Sequence, residues 1–245
     1  MALTSKLSTA ALLLAACALA RAAGPNRLTP AERRDGWRLL FDGSTTAGWE
    51  EITGKPFPDS WTVEDGCLKA LPRPDGKEDI RTKESFRSFD LEFDWKLLPG
   101  GNSGVKYLIQ RTDEWRNAKG RQARARGLEY QLIDNAVPEL KADTRRFAGS
   151  LYSLIAPRPP VNPRLGEFNH SRIVVDGHHV EHWLNGVKIV EFDTTDPAVV
   201  ALLRHYLPKG SPPDAPLVLT TPISLQNHTG EAWFRNIKIR VLPAR

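Results

Sequence analysis

The chain of 245 residues carries 34 lysines and arginines against 29 aspartates and glutamates, a formal net charge of +5, and only two cysteines. The basicity is mild and dispersed, which argues against nucleic acid as a partner, and the cysteine count excludes a disulfide framework, so stability must come from burial. Beyond the N-terminal run no stretch is apolar for long enough to cross a bilayer.

Residues 1–22 read as an export signal, with Lys6 at the start, an apolar run from Leu7 to Ala20, and small residues at the exit. Two exits compete. Ala20-Arg21-Ala22 fits cleavage after Ala22, giving a soluble exported protein, while Leu14-Ala15-Ala16-Cys17 resembles a lipoprotein box that would anchor the chain by lipid on Cys17. Either way the expected destination is the periplasm or the exterior. Residues 23–36 form a short extension, and 37–243 suffice for one all-β domain with a real core.

From there the chain is a series of short alternating runs punctuated by Gly, Pro, Asn and Asp. "WTVEDGCLKA" (61–70) holds Cys67, expected as a small buried hydrophobe. In "FDLEFDWKL" (89–97) Leu91, Phe93 and Trp95 form a packing row, with Glu92, Asp94 and Lys96 opposite. Gly100, Gly101 and Gly104, around Asn102 and Ser103, indicate a tight turn into "GVKYLIQ" (104–110). "RTDEWRNAKGRQARARG" (111–127), rich in basic residues, reads as a solvated loop, although Trp115 is out of character there. "GLEYQLI" (127–133) alternates again.

"PRPPVNPRLG" (157–166) and "PKGSPPDAP" (208–216) are excluded from central strands by fixed φ and missing amides. In "RIVVDGHHVEHWLNGVKIVEF" (172–192), Asp176-Gly177 and Asn185-Gly186 predict type I′ hairpins and a three-stranded meander. The only helical prospect is 195–207, with Asp196 as N-cap, Pro197 at the first helical position and Pro208 as the stop. "SLQNH" and "AWFRNIKIRVL" (232–242) complete an antiparallel sandwich.

Several of these segments, in this order, resemble the 3-keto-disaccharide hydrolase domain family. They are "GWRLLFDGSTTAGWE", "WTVEDGCLKA", "FDLEFDWK", "GGNSGVKYLI", "GLEYQLIDN", "GSLYSLI", "VEHWLNGVKIVEFD" and "SLQNHTGEAWFRNIKIRVL". The resemblance spans Trp37 to Leu242. It implies a concanavalin A-like jelly-roll β-sandwich of two antiparallel sheets, export from a bacterial cell, and action on sugars already oxidised to a ketone at C3. Two departures stand out. Relatives often have Leu-Gln-Asp-His-Gly where this chain has Leu225-Gln226-Asn227-His228-Thr229, and His-Pro-Asp where it has Val137-Pro138-Glu139.

Alternation also selects candidate site residues without the family. Glu129 and Gln131 share the face opposite Leu128, Tyr130 and Leu132, and Gln226 and His228 share the face opposite Leu225 and Asn227. With the polar row of 89–97 as a third example, these pairs are expected on a sugar-binding sheet face. Lys106 would stand beside a developing oxyanion. Asn102, Trp115 and His182 are further substrate-binding candidates, Trp115 by stacking on a sugar.

The chemistry separates two enzyme readings. A retaining glycosidase needs two carboxylates about 5 Å apart. The nearest match to the sandwich-glucanase pattern, Glu92-Phe93-Asp94-Trp95-Lys96, has lysine where the second carboxylate should stand. A 3-keto sugar permits another route: removal of the acidified C2 hydrogen, elimination of the C1 substituent, and addition of water to the unsaturated product. That needs a base (Glu129 or His228), positive charge near O3 (Lys106 or a divalent cation held by Glu129 and His228), and a donor for the leaving oxygen. No dinucleotide fingerprint is present, so no organic cofactor is expected and a separate sugar oxidoreductase must make the ketone. The alternative is a non-catalytic, lectin-like carbohydrate-binding module using the same face.

Overall fold

The computed structural model describes residues 24–73, 76–140 and 142–243. The expected export signal and Cys17 lie outside them. A short helix α1 (Pro30–Arg34) is followed by β1 (Arg38–Leu39), β2 (Trp49–Glu51), β3 (Trp61–Glu64), β4 (Cys67–Ala70), β5 (Gly76–Glu78), β6 (Ile80–Phe86), β7 (Phe89–Leu97), β8 (Asn102–Asn117) and β9 (Gly120–Ile133). Then come β10 (Asn169–Asp176), β11 (His179–Leu184), β12 (Val187–Asp193), α2 (Pro197–His205), β13 (Thr221–Leu225) and β14 (Ala232–Val241).

The strands form two sheets, in the jelly-roll sandwich expected. The larger has the order β12-β11-β10-β7-β14-β4-β3, with β1 also paired to β14, and the smaller has the order β2-β6-β13-β8-β9-β5. Pairing is antiparallel except between β5 and β9. The core is the apolar row of each sheet turned toward the other. Phe93 of β7 meets Tyr130 of β9 edge to face, ring centres 5.9 Å apart, a favoured aromatic geometry. Leu128, Tyr130 and Leu132 are all fully buried, as their alternation required.

The meander forms as predicted, with one turn displaced. Leu184 pairs with Val187, so Asn185 and Gly186 are the turn residues, at φ 49° and 83°, as type I′ demands. Asp176 pairs with His179, so the other turn is Gly177-His178. Only its first residue has positive φ, 63°, the order of a type II′ turn.

The basic segment 111–127 is not a loop. It is the outer half of the long β8–β9 hairpin, paired from Arg111↔Arg126 to Asn117↔Gly120. Where this arm joins the inner half, Leu108, Ile109 and Gln110 face Gly127 alone. Leu108 takes φ +47° in the bulge, and a Cβ on Gly127 would lie 2.7 Å from the Tyr107 carbonyl oxygen. Glycine is required there by close backbone approach.

Helix α2 starts and stops where its residues predict. The Asp196 carboxylate accepts from the Ala198 amide at 2.8 Å, Pro197 opens the helix, and Val199 and Leu203 are its buried residues. Helix α1 is an addition, closed by a reciprocal capping box between Thr29 and Glu32. It holds the N-terminal extension to β14 through the Glu32–Lys238 ion pair.

The third polar row stands elsewhere than expected. Glu92, Asp94 and Lys96 lie on β7 of the larger sheet, facing away from the core. There Glu92 pairs with Lys238 at 2.8 Å, Asp94 with His170 at 2.9 Å, and Lys96 lies over the Trp233 ring. This row belongs to a solvated outer face.

His182 is also misplaced as a substrate-binding residue. It is 0% exposed, because β11 turns it into the core with Val180 and Leu184. Its Nδ1 is 2.9 Å from the Gly149 carbonyl and its Nε2 is 2.7 Å from the Tyr107 hydroxyl. Since a carbonyl can only accept, Nδ1 carries the hydrogen and the Tyr107 hydroxyl donates to Nε2.

Burial pushes the His182 imidazole down from 6.5 to about 4. The unfolded chain therefore binds the extra proton first, and stability is lost as pH falls from about 6.5 to about 4, by on the order of 3 kcal/mol. Thermal midpoints across that window should fall more steeply for the wild type than for His182→Gln. Equal slopes would remove His182 from the acid response.

Candidate active site

The order β13-β8-β9 brings the predicted polar pairs together on the face of the smaller sheet that is turned away from the core. Ser224 pairs with Lys106 across β13–β8, and Lys106 pairs with Glu129 across β8–β9. Beyond the end of β13, Asn102 and Thr229 form an isolated bridge, which holds His228 beside β8. A cavity of about 350 Å³ lies on this face, and Glu129, Gln131, Lys106, Asn102, Gln226 and His228 all line it. Trp115, 38% exposed, completes its rim from the hairpin arm. Of the eight predicted site residues, His182 alone is absent.

A residue with no sequence signal holds the floor. Asp79, in the one-residue link between β5 and β6, is fully buried. Its Oδ1 accepts from Arg124 Nη1 at 2.8 Å and from the Asn227 amide at 3.3 Å. Its Oδ2 accepts from Lys106 Nζ at 3.2 Å and from the Ala125 amide at 3.0 Å. Lys106 is only 4% exposed, and a buried ion must be paired and hydrogen-bonded to be tolerated. One carboxylate cannot balance both cations, so Lys106 and Arg124 turn their remaining charge toward Glu129 and the cavity.

Glu129 stands against that charge without being locked to it. Its Oε2 is 3.8 Å from Lys106 Nζ, too long for a hydrogen bond. The Gln131 amide, in the orientation that turns its nitrogen toward the carboxylate, donates to Glu129 Oε1 at 3.0 Å and to the Ser103 carbonyl at 3.2 Å. Burial raises the Glu129 pKa, and Lys106 opposes the rise. Gly104, opposite Gln131 on β8, makes the room: a Cβ there would lie 2.5 Å from Glu129 Oε1.

The other wall is set by Gln226 and His228. Gln226 is 7% exposed, and its Oε1 has no hydrogen-bond partner among the described residues. A buried acceptor left open at a cavity costs free energy until a ligand supplies a donor. His228 Nδ1 lies 2.8 Å from the Thr229 hydroxyl. His228 is exposed at the rim, and there partial desolvation, and then the charges of Arg124, Lys77 and Lys106, push its imidazole down to about 4. It is therefore neutral at physiological pH.

The two sequence departures fall outside this cavity's lining. Asn227 is buried on the opposite side of its strand, donating to the carbonyls of Ser60 at 3.0 Å and Leu71 at 3.2 Å, which a carboxylate could not do. Val137-Pro138-Glu139 lies at a 3₁₀ turn, Pro138–Leu140. Conversely, Arg124, Gln122, Arg126, Tyr152 and Tyr206 line the cavity and were not anticipated. The basic content of 111–127 was a signal, had the segment been read as strand.

The donor set suits an anion better than a divalent cation. A metal held by Glu129 and His228 would stand beside Lys106 and Arg124, whose charges repel it. Among the described residues the three-ligand cluster is His179, Glu181 and Glu191, with ligand atoms within 4.8 Å of one another. It lies on the outer face of the larger sheet, where Lys188 already pairs with Glu181 at 3.2 Å and Glu191 at 2.6 Å.

The sequence profile of the 3-keto-alpha-glucoside-1,2-lyase-like domain matches residues 36–240. A 3-keto-disaccharide hydrolase of Bacteroides thetaiotaomicron is 31% identical over 231 residues, covering 85% of this chain and 79% of that one. Two crystal structures of Parabacteroides distasonis proteins are also similar. One is 28% identical with a TM-score of 0.73, covering 90% of this chain and all of that one. The other is 29% identical with a TM-score of 0.64, covering 84% and 99%.

Proposed function

The chain belongs to the 3-keto-alpha-glucoside-1,2-lyase-like family, and on that premise we propose that it cleaves 3-keto-glycosides by elimination, followed by hydration. The observation that carries this reading is Glu129: a half-buried carboxylate of raised pKa, held by one amide, 3.8 Å from the Lys106 ammonium that shares Asp79 with Arg124.

A 3-ketone acidifies the hydrogen on C2. Glu129 removes it, the C2–H electron pair forms the C2–C3 double bond, and negative charge gathers on O3. Lys106 and Arg124 meet that charge from fixed positions, so stabilisation requires no reorganisation. Collapse of the enolate restores the ketone, forms the C1–C2 double bond and breaks the bond from C1 to the glycosidic oxygen, which leaves with its pair and takes up a proton. Water then adds at C1 and a proton returns to C2, for net hydrolysis.

Two lining residues compete for the role of base, and proton affinity together with the place of Glu129 opposite Lys106 across β8–β9 favours Glu129. The shift that strengthens Glu129 weakens His228, whose conjugate acid titrates near 4. A base is best when its pKa approaches the working pH. His228, Gln226, Gln131 and Asn102 therefore hold sugar hydroxyls, and Trp115 offers a ring for stacking. Positive charge comes from the chain itself, so no divalent ion enters a step. An oxidoreductase acting earlier supplies the ketone, and export through residues 1–22 places the protein beside extracellular or periplasmic sugars.

The test is turnover of a 3-keto-glucoside in heavy water, followed by NMR. Solvent deuterium should appear at C2 of the hydrated product, and the rate should be unchanged after exhaustive chelation. Cleavage with protium retained at C2 would exclude elimination. Binding without turnover would establish the lectin-like alternative, and loss of rate on chelation would restore the metal.

A further inference from the structure

The leaving oxygen needs a proton, and the cavity contains a group placed to give it. Tyr206 is the C-cap of α2 and lines the same cavity as Glu129. Two contacts fix its position. Val199 and Leu203 anchor the helix in the core, while Arg111 on β8 donates from Nη1 to the Leu207 carbonyl at 2.8 Å and to the His205 carbonyl at 3.3 Å. The residues on both sides of Tyr206 are thus tied to one guanidinium, and Asp113 holds that guanidinium at 2.7 Å. Among the described residues none hydrogen-bonds the Tyr206 hydroxyl, although the backbone on either side of it is held by Arg111.

Resting on the elimination reading above, we propose that Tyr206 is the general acid that protonates the departing glycosidic oxygen, paired with Glu129 as base. Burial first, and the charge of Glu129 second, hold the phenol above its ordinary pKa, so it enters the reaction protonated. The accounting closes within the pair. Glu129 gains the C2 hydrogen as a proton, and Tyr206 loses its hydroxyl proton to the leaving oxygen. The cavity then holds a protonated carboxylic acid and a phenolate beside the 1,2-unsaturated ketone.

Hydration runs the same pair in reverse. The phenolate takes a proton from water as its oxygen bonds to C1, and Glu129 returns its proton to C2. Both groups finish as they began, and the Glu129 carboxyl proton exchanges with solvent in the open cavity before it is returned, so C2 takes up solvent hydrogen. The pairing explains how one shallow cavity could perform both half-reactions without a second acid.

Leaving groups that differ in their need for a proton test the proposal. Tyr206→Phe should lower kcat on methyl 3-keto-glucoside by about 10²–10⁴-fold, the usual loss for a general acid. On 4-nitrophenyl 3-keto-glucoside, whose leaving group departs as a stable phenolate, the loss should be below about tenfold. In heavy water the variant should still exchange the C2 hydrogen of uncleaved methyl substrate, because Glu129 is intact. Incorporating 3,5-difluorotyrosine at position 206 should move the alkaline limb of kcat to lower pH, which loss of packing would not do.

Equal losses on the two substrates, or no loss on either, would overturn the assignment. So would a selective loss on methyl substrate in Tyr152→Phe with Tyr206→Phe unaffected. Failure of the wild type to place deuterium at C2 would instead defeat the elimination reading, so the two failures are distinguishable.

Discussion

Glu129→Gln should lower kcat on a 3-keto-glucoside by about 10²–10⁴-fold while leaving the thermal midpoint unchanged or slightly raised. The substitution keeps the shape and removes the charge. Its effect on stability follows from the sign of the pKa shift. A carboxylate raised on folding binds its proton more tightly in the folded state, so at neutral pH its ionised form weakens the fold. Glutamine removes that penalty, and Lys106 keeps its bond to Asp79. The same variant should abolish exchange of the C2 hydrogen with solvent, which Tyr206→Phe should preserve. Full activity in Glu129→Gln would take Glu129 out of the reaction, and a collapse of the midpoint together with the rate would point to a structural role.

The largest contrast should lie between substrates. A 3-keto-glucoside should be cleaved, and its parent glucoside should persist with no detectable product under the same conditions. In the parent the C2 hydrogen sits on an ordinary carbinol carbon, and no carboxylate can remove it at a useful rate whatever the cavity contributes. In the ketone the charge spreads to O3, where a buried, pre-oriented cation pair is worth far more than in water. Lys106 and Arg124 are such a pair, and they are fixed by Asp79 before substrate arrives. Comparable cleavage of both forms would mean direct displacement at C1, for which the cavity would need two reactive carboxylates; Asp79 is already committed to four donors.

The legible parts of this site were those written in a local period. Glu129, Gln131, Gln226 and His228 were recoverable because strand alternation places every second side chain on one face, and the packing rows Leu128-Tyr130-Leu132 and Ile223-Leu225 fixed which face was which. The same logic mislocated Glu92 and Asp94. Alternation identifies an outward row and says nothing of which sheet carries it. His182 was misread for a related reason, since Val180 and Leu184 mark its row as the inner one and a histidine there can be accommodated by two hydrogen bonds.

Asp79 and Arg124 had no local signature, because their relation is an ion pair between residues 45 apart. The arm 111–127 shows charge overriding period: its basic side chains line a cavity and pair with Asp113 and Glu114 instead of dissolving into a loop. Gly177 shows the scale of error in turn chemistry, where a dipeptide was identified correctly and the register missed by one residue.

The free thiol of Cys67 gives the fold an internal reporter. It is buried at the start of β4, one strand in from the edge strand β3. It stands on the same row of β4 as Lys69, which faces outward, so a thiol reagent reaches it when its local cover opens, and such openings span a range of free energies below that of global unfolding. With the only other cysteine in the sequence at position 17, labelling followed on the Cys67 peptide becomes a direct clock for local opening at one margin of the larger sheet, far along the strand order from the meander and without any engineered probe.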